Sequence, residues 1–237
     1  MPADHLPLMK KLFFALFAFV ATVHTASAQV EIGLKVSPSI TSLRAESTSA
    51  QAFSSDGSKL SFGGGLVVDY FFGENYAFST GLLLTGKGGS VSYTDSKSGV
   101  AGVSPFSATQ KISLQYLEVP LTVKLFTNEV ATDTRLYFQV GGSLNVPIGT
   151  RIDGSKFYTD PATGKETKAS DHTTFYDADV LAGLGAEYQL GQSTKVFGGI
   201  SYHRGLFNID DYFENSRGFK DVMIKNSSVN LDLGIKF

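Results

Sequence analysis

The sequence KLSFGGGLVVDYFFGENYAFSTGLLL, residues 59–84, decides the fold, because two runs of alternating side chains flank a short turn. The turn is Gly73-Glu74-Asn75, and this spacing predicts an antiparallel β-hairpin. The apolar face of the first run consists of Leu60, Phe62, Leu66, Val68, Tyr70 and Phe72. That of the second run consists of Tyr76, Phe78, Leu82 and Leu84. The nature of the protein then depends on whether this face packs into a core or contacts lipid.

The composition favours one large β domain over two ordinary ones. The 237 residues include 25 glycines, 19 phenylalanines and 10 tyrosines, and no run after residue 28 has the period of a long amphipathic helix. The formal net charge is −2 and no basic stripe is present, so we predict no nucleic-acid partner. The absence of cysteine excludes disulfides, cysteine-based metal sites and thiol catalysis.

The N-terminus has the organisation of a secretory signal peptide. Lys10 and Lys11 precede an apolar run over residues 12–23, which is followed by Ala26-Ser27-Ala28. An uncleaved membrane anchor is the alternative, but the run is shorter than the roughly 20 residues that a spanning helix needs. We therefore predict export, with cleavage before Gln29.

The remaining chain contains eight predicted strands. They are residues 29–40, the two runs of residues 59–84, and then 111–126, 134–148, 174–190, 194–207 and 226–237. Long connections over residues 41–58, 87–110, 149–173 and 208–225 alternate with short ones over 73–75, 127–133 and 191–193. This alternation puts every short turn at one end, which is typical of outer-membrane β-barrels. The strands also exceed the usual length of about 5–6 residues, and about 9–11 tilted residues cross a bilayer.

The strand over residues 111–126 contains a change of phase. Ile112, Leu114 and Tyr116 occupy even positions, whereas the apolar residues from Leu117 onward occupy odd positions. A β-bulge near Tyr116 that exchanges the two faces explains this pattern. Pro120 cannot donate to a ladder, which argues against a regular ladder at that point.

The face opposite the apolar one carries charges of both signs. Its members are Glu31, Lys35, Asp69, Glu118, Lys124, Arg135, Asp179, Glu187, Lys195, His203, Asp232 and Lys236. An eight-stranded barrel has a lumen that side chains just fill, so we predict a packed ionic interior and an apolar exterior facing lipid. A lipocalin-like barrel, with apolar residues inside, is the structural alternative.

Aromatic residues support the membrane interpretation. Those near the short turns form a predicted interfacial girdle of Tyr70, Phe72, Tyr76, Phe78, Phe126, Phe138, Tyr188 and Phe237. The last segment, SVNLDLGIKF with a terminal Phe237, resembles the C-terminal strand signal by which outer-membrane barrels are recognised for assembly.

Several stretches resemble the small outer-membrane β-barrel domain of the Bacteroidetes type, which is PorT-related and similar to OmpX/OmpA-like eight-stranded barrels. They are YAFSTGLLLTGKGG, YLEVPLTVKLF, YFQVGGSLNVP, DADVLAGLGAEYQL and SYHRGLFNID. The resemblance covers essentially all of the chain after the signal peptide. It implies fold and location, and it implies that Pro120 is a tolerated family feature; some members are associated with secretion and gliding.

One set of lumen residues invites comparison with barrel lipid A deacylases. Ser201 and His203 share a face, and Asp179 and Glu118 occupy facing positions. Because these groups point into a packed lumen while the lipid lies outside, we predict that the protein is not an enzyme and that His203 is a satisfied interior histidine.

Other candidate sites are weaker. Glu118, Asp177 and Asp179 are a possible site for a hard cation. Ion pairing with Lys124, Lys195 or Arg135 is the alternative that we favour, so we predict no metal and no cofactor. Residues 63–65, Gly-Gly-Gly, precede more strand and not a helix, and therefore do not form a phosphate-binding loop. Arg204 is either a contact for a lipid head-group phosphate or a solvated rim residue.

We therefore predict an all-β chain, with a cleaved signal peptide over residues 1–28 and an eight-stranded antiparallel up-and-down transmembrane β-barrel over residues 29–237. It is expected in the outer membrane with both termini periplasmic. The expected function is a non-enzymatic structural, surface-interaction or adhesion role through long extracellular loops, with an accessory role in secretion as the alternative. Expected partners are outer-membrane lipid and lipopolysaccharide, the barrel-assembly machinery during insertion, and a protein bound by the loops.

Overall fold

The computed structural model describes residues 30–47, 53–95, 106–160, 164–216, 219 and 221–237. The predicted signal peptide lies outside the described residues. The strands in these ranges are β1 (Val30–Ser47), β2 (Ser54–Gly73), β3 (Tyr76–Asp95), β4 (Phe106–Phe126), β5 (Thr134–Ile152), β6 (Phe157–Thr159), β7 (Glu166–Lys168), β8 (Asp177–Gln189), β9 (Lys195–Gly205) and β10 (Val222–Lys236). A 3-10 helix spans Ala169–His172. Within these ranges, no helix has the length and apolar character that crossing a membrane requires.

Eight of the strands close into a barrel in which every neighbouring pair is antiparallel. The order is β1-β10-β9-β8-β5-β4-β3-β2, and β2 pairs with β1 to complete the ring. The strands β6 and β7 form a separate two-stranded sheet within the connection from β5 to β8. The prediction of an all-β, eight-stranded, up-and-down antiparallel barrel is confirmed.

The two ends of the barrel differ. The turn end holds the short β2–β3, β4–β5 and β8–β9 connections together with Val30 and Phe237. The loop end holds the four other connections. The predicted placement of the connections at two ends is therefore confirmed, but their lengths do not strictly alternate: the β1–β2 connection, residues 48–53, is no longer than the β4–β5 connection, residues 127–133.

The strands extend further toward the loop end than predicted, so parts of all four predicted long loops are strand. Residues 41–47 belong to β1 and residues 87–95 to β3. These polar segments lack clear alternation, but their side chains hydrogen-bond across the ladder, as with Ser92 Oγ and Thr109 Oγ1 at 2.7 Å. Their few apolar side chains, such as Val91 and Tyr93, point inward and are buried. Strand partners, which are distant in sequence, therefore stabilise segments whose own pattern is weak.

The apolar face points outward along the barrel. Leu136, Val140 and Leu144 on β5 are 44%, 47% and 56% exposed, whereas Gln139 between them is 8% exposed. Interior charged groups such as Asp69 are fully buried. This arrangement excludes the lipocalin-like alternative, in which the apolar residues would line the interior.

The predicted exchange of faces in β4 is wrong. Even-numbered residues of β4 point inward along its whole length, from Ile112 and Tyr116 to Glu118 and Lys124. A register shift does occur at Tyr116, but β5 holds the extra residue, Ile148, which has no partner on β4. The sequence changes phase because the interior changes from ionic to apolar at Tyr116, while the direction of the side chains stays the same. Pro120 pairs with Ser143 of β5, but the β3–β4 ladder skips Val119 and Pro120 before it resumes in the same register, so the predicted irregularity at Pro120 is present.

The predicted aromatic girdle at the turn end is present with one correction. Phe72, Tyr76, Phe78, Phe138, Tyr188 and Phe237 are exposed on the outside, and Tyr70 is half-buried. Phe126 instead points inward and is 6% exposed. It has the inward phase of β4 and packs against the interior ring of Phe71, with centroids 5.3 Å apart.

Candidate functional site

Four ionisable side chains meet in the middle of the barrel, and we call them the central hub: Lys87, Glu118, Asp179 and His203. Lys87 Nζ lies 2.6 Å from Asp179 Oδ2 and 3.1 Å from Glu118 Oε2. His203 Nδ1 lies 3.2 Å from Asp179 Oδ1. All four residues are buried, and they come from β3, β4, β8 and β9. The hub therefore links strands on different sides of the lumen.

Neutral side chains from β5 complete the central hub. Asn145 Oδ1 accepts a hydrogen bond from Lys87 Nζ at 3.0 Å, and Asn145 Nδ2 donates to Asp179 Oδ2 at 2.9 Å. Ser143 Oγ donates to Asp179 Oδ1 at 2.7 Å. These hydrogen bonds matter because a buried charge is tolerated only when it is both paired and hydrogen-bonded.

Lys87 was missed by the sequence analysis, which placed it in a loop. Lys124, Lys195 and Arg135, the expected partners of the hub carboxylates, pair elsewhere in the barrel. The available signal was the alternation of β3, because Leu83 and Lys87 share the inward phase. The glycines around Lys87 interrupt this alternation in the sequence, so the segment was predicted to be a loop.

The residues of the suspected hydrolytic site do come together. Ser201 Oγ lies 3.4 Å from His203 Nε2, and the other ring nitrogen faces Asp179, which is the order of a serine–histidine–aspartate triad. However, Ser201 Oγ donates to Asp232 Oδ2 at 2.7 Å and is 1% exposed. Cavities beside the hub have volumes of about 20 and 30 Å³, enough for about one water each. A nucleophile needs access to its substrate, and these cavities are too small to hold a substrate.

The three carboxylates predicted to bind a hard cation do not all come together. Glu118 and Asp179 group with His203, and their ligand atoms lie within 4.8 Å of one another. Asp177 lies apart from this group and accepts a hydrogen bond from Asn226 Nδ2 at 2.9 Å. The ammonium of Lys87 bridges the two hub carboxylates, which is the position that a metal cation would take.

A second group of charges, which we call the turn-end hub, lies nearer the turn end. Lys236 Nζ lies 2.5 Å from Asp69 Oδ2, 3.6 Å from Glu31 Oε2 and within hydrogen-bonding distance of Glu187. Lys124 Nζ also pairs with Asp69, at 2.9 Å. Below this hub, an open mouth of about 1040 Å³ at the turn end is lined by polar residues, such as Glu31 and Arg135, and by apolar residues, such as Phe71 and Phe72.

Aromatic rings fill the space between the charges of the turn-end hub. Phe71, Phe126, Tyr137 and Phe197 belong to one buried cluster. Arg135 Cζ lies 4.9 Å from the Phe126 centroid, and Lys236 Nζ lies 5.4 Å from the Phe197 centroid. These cation–π distances let the cations satisfy part of their charge without water.

The loop end is closed by an apolar core, which we call the cap. It joins inward residues of the long strands to residues of the last loop, and its members are Leu43, Phe53, Val91, Tyr93, Ile112, Leu114, Tyr116, Ile152, Tyr158, Ala169, Ile209, Tyr212, Phe213, Phe219, Val222 and Ile224. Phe213 lies against Phe53 and Tyr93, with centroids 4.9 Å apart in both pairs. The predicted ionic interior therefore describes the middle and the turn end of the lumen but not the loop end.

Polar groups in the cap tie the small β6–β7 sheet to the last loop. The His172 ring stacks on Tyr212, with centroids 3.8 Å apart, and its Nε2 lies 2.7 Å from Thr167 Oγ1. The Tyr212 hydroxyl donates to Asp160. Burial lowers the pKa of His172, so the ring is held neutral in this stack.

Asp210 makes the stability of the cap depend on pH. Its carboxylate accepts hydrogen bonds from the backbone N–H groups of Tyr212 and Phe213, at 3.4 and 3.0 Å. Burial nevertheless raises its pKa from 3.8 to about 7. The folded cap thus holds a proton that the unfolded chain has lost between these pH values, so its stability falls as pH rises from about 4 to about 7.

The substitution Asp210→Asn is expected to remove this loss, because the amide carries no charge at any pH. The two backbone N–H groups donate to different carboxylate oxygens, so the amide oxygen accepts the shorter bond from Phe213 while the longer bond from Tyr212 is given up. At pH 8 the variant should exchange the amide hydrogen of Phe213 roughly tenfold more slowly than the wild type. At pH 4, where this loss has only begun, the two proteins should be alike. His172 titrates in the opposite sense in both proteins, so a comparison at each pH isolates Asp210. Equal exchange at pH 8 would contradict the prediction.

The remaining predicted positions lie on the barrel wall. Residues 63–65 lie within β2, as expected for strand glycines. Arg204 points outward near the loop end of β9. Exposed aromatic residues that the sequence analysis did not group lie beside it at the loop end: the Tyr176 ring has its centroid 4.8 Å from that of Phe175 and 5.5 Å from that of Phe207. They mirror the girdle at the turn end.

Comparisons with known proteins gave distant structural matches. Among solved structures, Neisserial surface protein A is 12% identical with a TM-score of 0.45, over 89% of this chain and 99% of that one. OprG of Pseudomonas aeruginosa is 11% identical with a TM-score of 0.44, over 87% and 95%. Ail of Yersinia pestis is 11% identical with a TM-score of 0.36, over 88% and 99%. No curated protein matches the chain.

The family comparison is more direct than these distant likenesses. The model of a family described as outer membrane protein beta-barrel domain matches residues 24–211, which is most of the chain. The matched range includes nine of the ten strands, from β1 to β9. The chain therefore belongs to the outer membrane protein β-barrel domain family and is an outer-membrane protein.

Proposed function

We propose that this protein is a non-enzymatic surface protein whose loop end binds a macromolecule outside the cell, in adhesion or in maintaining the envelope. The loop end faces outward and both termini are periplasmic. The barrel acts as a rigid support, and the cap presents the binding surface.

The observation that carries this proposal is that the barrel is filled and capped. Its middle holds the buried central hub with cavities of about 20 and 30 Å³, and its loop end is closed by the apolar cap. Wide aqueous channels need about 16 strands, twice the number here. A protein that offers neither a wide channel nor space for a substrate at its candidate triad works through its surface.

Packing within the cap also holds its outer surface in one conformation, which favours binding. The β6–β7 sheet is fixed from below by the His172–Tyr212 stack, while Glu166 and Lys168 at its surface are exposed. A surface held by packed rings loses little conformational entropy when it binds a partner. Binding residues of many proteins lie on loops that a rigid scaffold positions.

Site-specific photo-crosslinking in intact cells tests this proposal. A photoreactive amino acid at Glu166, on the exposed β6–β7 sheet, is expected to give a discrete adduct with a macromolecule at the cell surface. The matched control carries it at Gln192, in the exposed β8–β9 turn at the opposite end. Heat-modifiable migration of both variants on gels would show that both barrels fold.

A PorT-like accessory role in secretion is the second candidate, and the open mouth at the turn end supports it. Glu31, Arg135 and Lys195 line that mouth, which is large enough for a periplasmic segment to enter. In this case Gln192 would give the adduct and Glu166 would not. That result would overturn the proposed surface role and favour a periplasmic partner.

A further inference from the structure

An open groove with a volume of about 720 Å³ crosses the outside of the barrel near the loop end. It runs over β2, β3, β4 and β5, and the β6–β7 sheet forms its far wall. Its apolar residues Leu60, Phe62, Ile148 and Phe157 are 83%, 63%, 55% and 53% exposed. The volume lies within the range of about 300–1,000 Å³ that is typical of small-ligand sites.

Local departures from regular sheet structure create this groove. The β2–β3 ladder is interrupted between Gly57 and Gly63, and β5 carries the extra residue Ile148. Gly86 and Gly149 add no side chains to the groove that they line. A Cβ atom at Gly149 would meet only the Gln115 side chain, at 3.8 and 3.9 Å, so the groove has room for more atoms there.

The rim of the groove is positively charged. Lys59, Arg151, Lys156 and Lys168 line it, and within the described part of the chain none of them forms an ion pair with a carboxylate. By contrast, the interior lysines Lys87, Lys124 and Lys236 are all paired. Asp56, Asp153 and Glu166, the carboxylates nearest in sequence, are exposed and form no ion pair with these cations within the described part of the chain. Arg151, Lys156 and Lys168 thus lie beside an apolar surface without a partner of opposite charge, whereas Lys59 Nζ donates to the backbone oxygen of Lys87.

The height of the groove matches the head-group layer of a bilayer. Outward apolar residues of β2 run from Phe72 at the turn end to Leu60 at the groove. They cover about 40 Å of strand at about 3.3 Å per residue, or about 30 Å along the axis at the usual tilt of about 40°. This is the thickness of the hydrocarbon core, so Leu60 lies at its edge and the cations lie among phosphates.

We propose that this groove binds lipopolysaccharide, the phosphorylated, multiply acylated glycolipid of the outer leaflet. Its phosphates would contact Arg151, Lys156 and Lys168, and an acyl chain would lie against Leu60, Phe62 and Ile148. Several cations around one groove suit a lipid with more than one phosphate better than one with a single phosphate. The inference rests on the proposed outward orientation of the loop end, but not on any macromolecular partner.

Native mass spectrometry of the detergent-folded full chain tests the site. The probes are lipid A with two phosphates, the same lipid A with one phosphate, and phosphatidylglycerol. The double variant Arg151→Gln/Lys156→Gln is expected to bind bisphosphorylated lipid A roughly tenfold or more weakly than the wild type. Removing one phosphate from lipid A should weaken binding to the wild type more than binding to this variant. In the variant that phosphate has no cations to contact, because Arg151 and Lys156 have been replaced.

Two further variants separate the groove from general charge. Arg204→Gln/Lys225→Gln removes the same two charge types from β9 and β10, away from the groove, and should bind nearly as the wild type does. Gly149→Leu fills the groove without changing charge and should also weaken binding.

Three results would overturn the proposal: unchanged binding in both groove variants, an equal loss in the β9–β10 control, or phosphatidylglycerol binding as tightly as bisphosphorylated lipid A. Heat-modifiable migration separates misfolding from lost binding. Crosslinking from Glu166 should persist in the groove variants, so failure of this inference is distinct from failure of the proposed surface function.

Discussion

Replacing Lys87 by methionine is expected to lower the free energy of unfolding by about 3–5 kcal/mol, the usual cost of leaving a buried charge without its partner. Lys87 is the cation shared by Glu118 and Asp179, at 3.1 and 2.6 Å. Both carboxylates are buried away from bulk water, and a single neutral water does not supply the lost positive charge. Urea unfolding in lipid vesicles, followed by heat-modifiable gel migration, measures the loss as a lower midpoint.

Two companion variants test the cause of this loss. Lys156→Met removes an exposed lysine from the outside and should change stability by no more than about 0.5 kcal/mol. Lys87→Met/Glu118→Gln removes a charge of each sign and should recover part of the lost stability, because fewer carboxylates remain unpaired. If Lys87→Met unfolds at the wild-type midpoint, the central hub does not stabilise the barrel.

Replacing Gly199 by alanine is expected to lower the free energy of unfolding by about 1–3 kcal/mol through overpacking of the lumen. A Cβ atom at this position would lie 2.5 Å from the Tyr137 hydroxyl and 2.6 Å from the backbone oxygen of Leu184. Tyr137 is buried in the turn-end aromatic cluster and has little room to move. The same urea titration in vesicles measures the effect.

The matched control is Gly149→Ala, whose Cβ would meet only Gln115 at ordinary contact distances. It should unfold at the wild-type midpoint. Adding Tyr137→Phe to Gly199→Ala removes the hydroxyl and should restore part of the stability, while the contact with the Leu184 oxygen remains. If Gly199→Ala behaves like Gly149→Ala, the ring of Tyr137 is not held against β9.

Much of the fold could be predicted because alternation along a strand is a local property. The outward positions of Leu136, Val140 and Leu144 follow from a period of two, and so does the inward position of Glu187. Strand ends were predicted poorly. The segment from Lys87 to Asp95 is rich in glycine and serine, and it is strand because β2 and β4 supply its partners.

The sequence predicted which side chains meet at the candidate site, but not which cation pairs with its carboxylates. Ser201, His203, Asp179 and Glu118 do meet, as their phases indicated. The cation that neutralises them, Lys87, was assigned to a loop, and Phe126 was assigned to the outside. The loop-end cap was also missed, because the inward phase of Ile112, Leu114 and Tyr116 was interpreted as a bulge.

The sequence by itself determined the eight strands, the direction of most of their side chains and the two unlike ends, since each depends on residues that are neighbours in the chain. Only the tertiary structure decided which charges pair, where the lumen turns apolar and where the outer groove opens. Lys87 and Asp179 are 92 residues apart in sequence. They meet because strand register and barrel closure fix the height of each side chain in the lumen, and neither quantity is encoded in a local pattern.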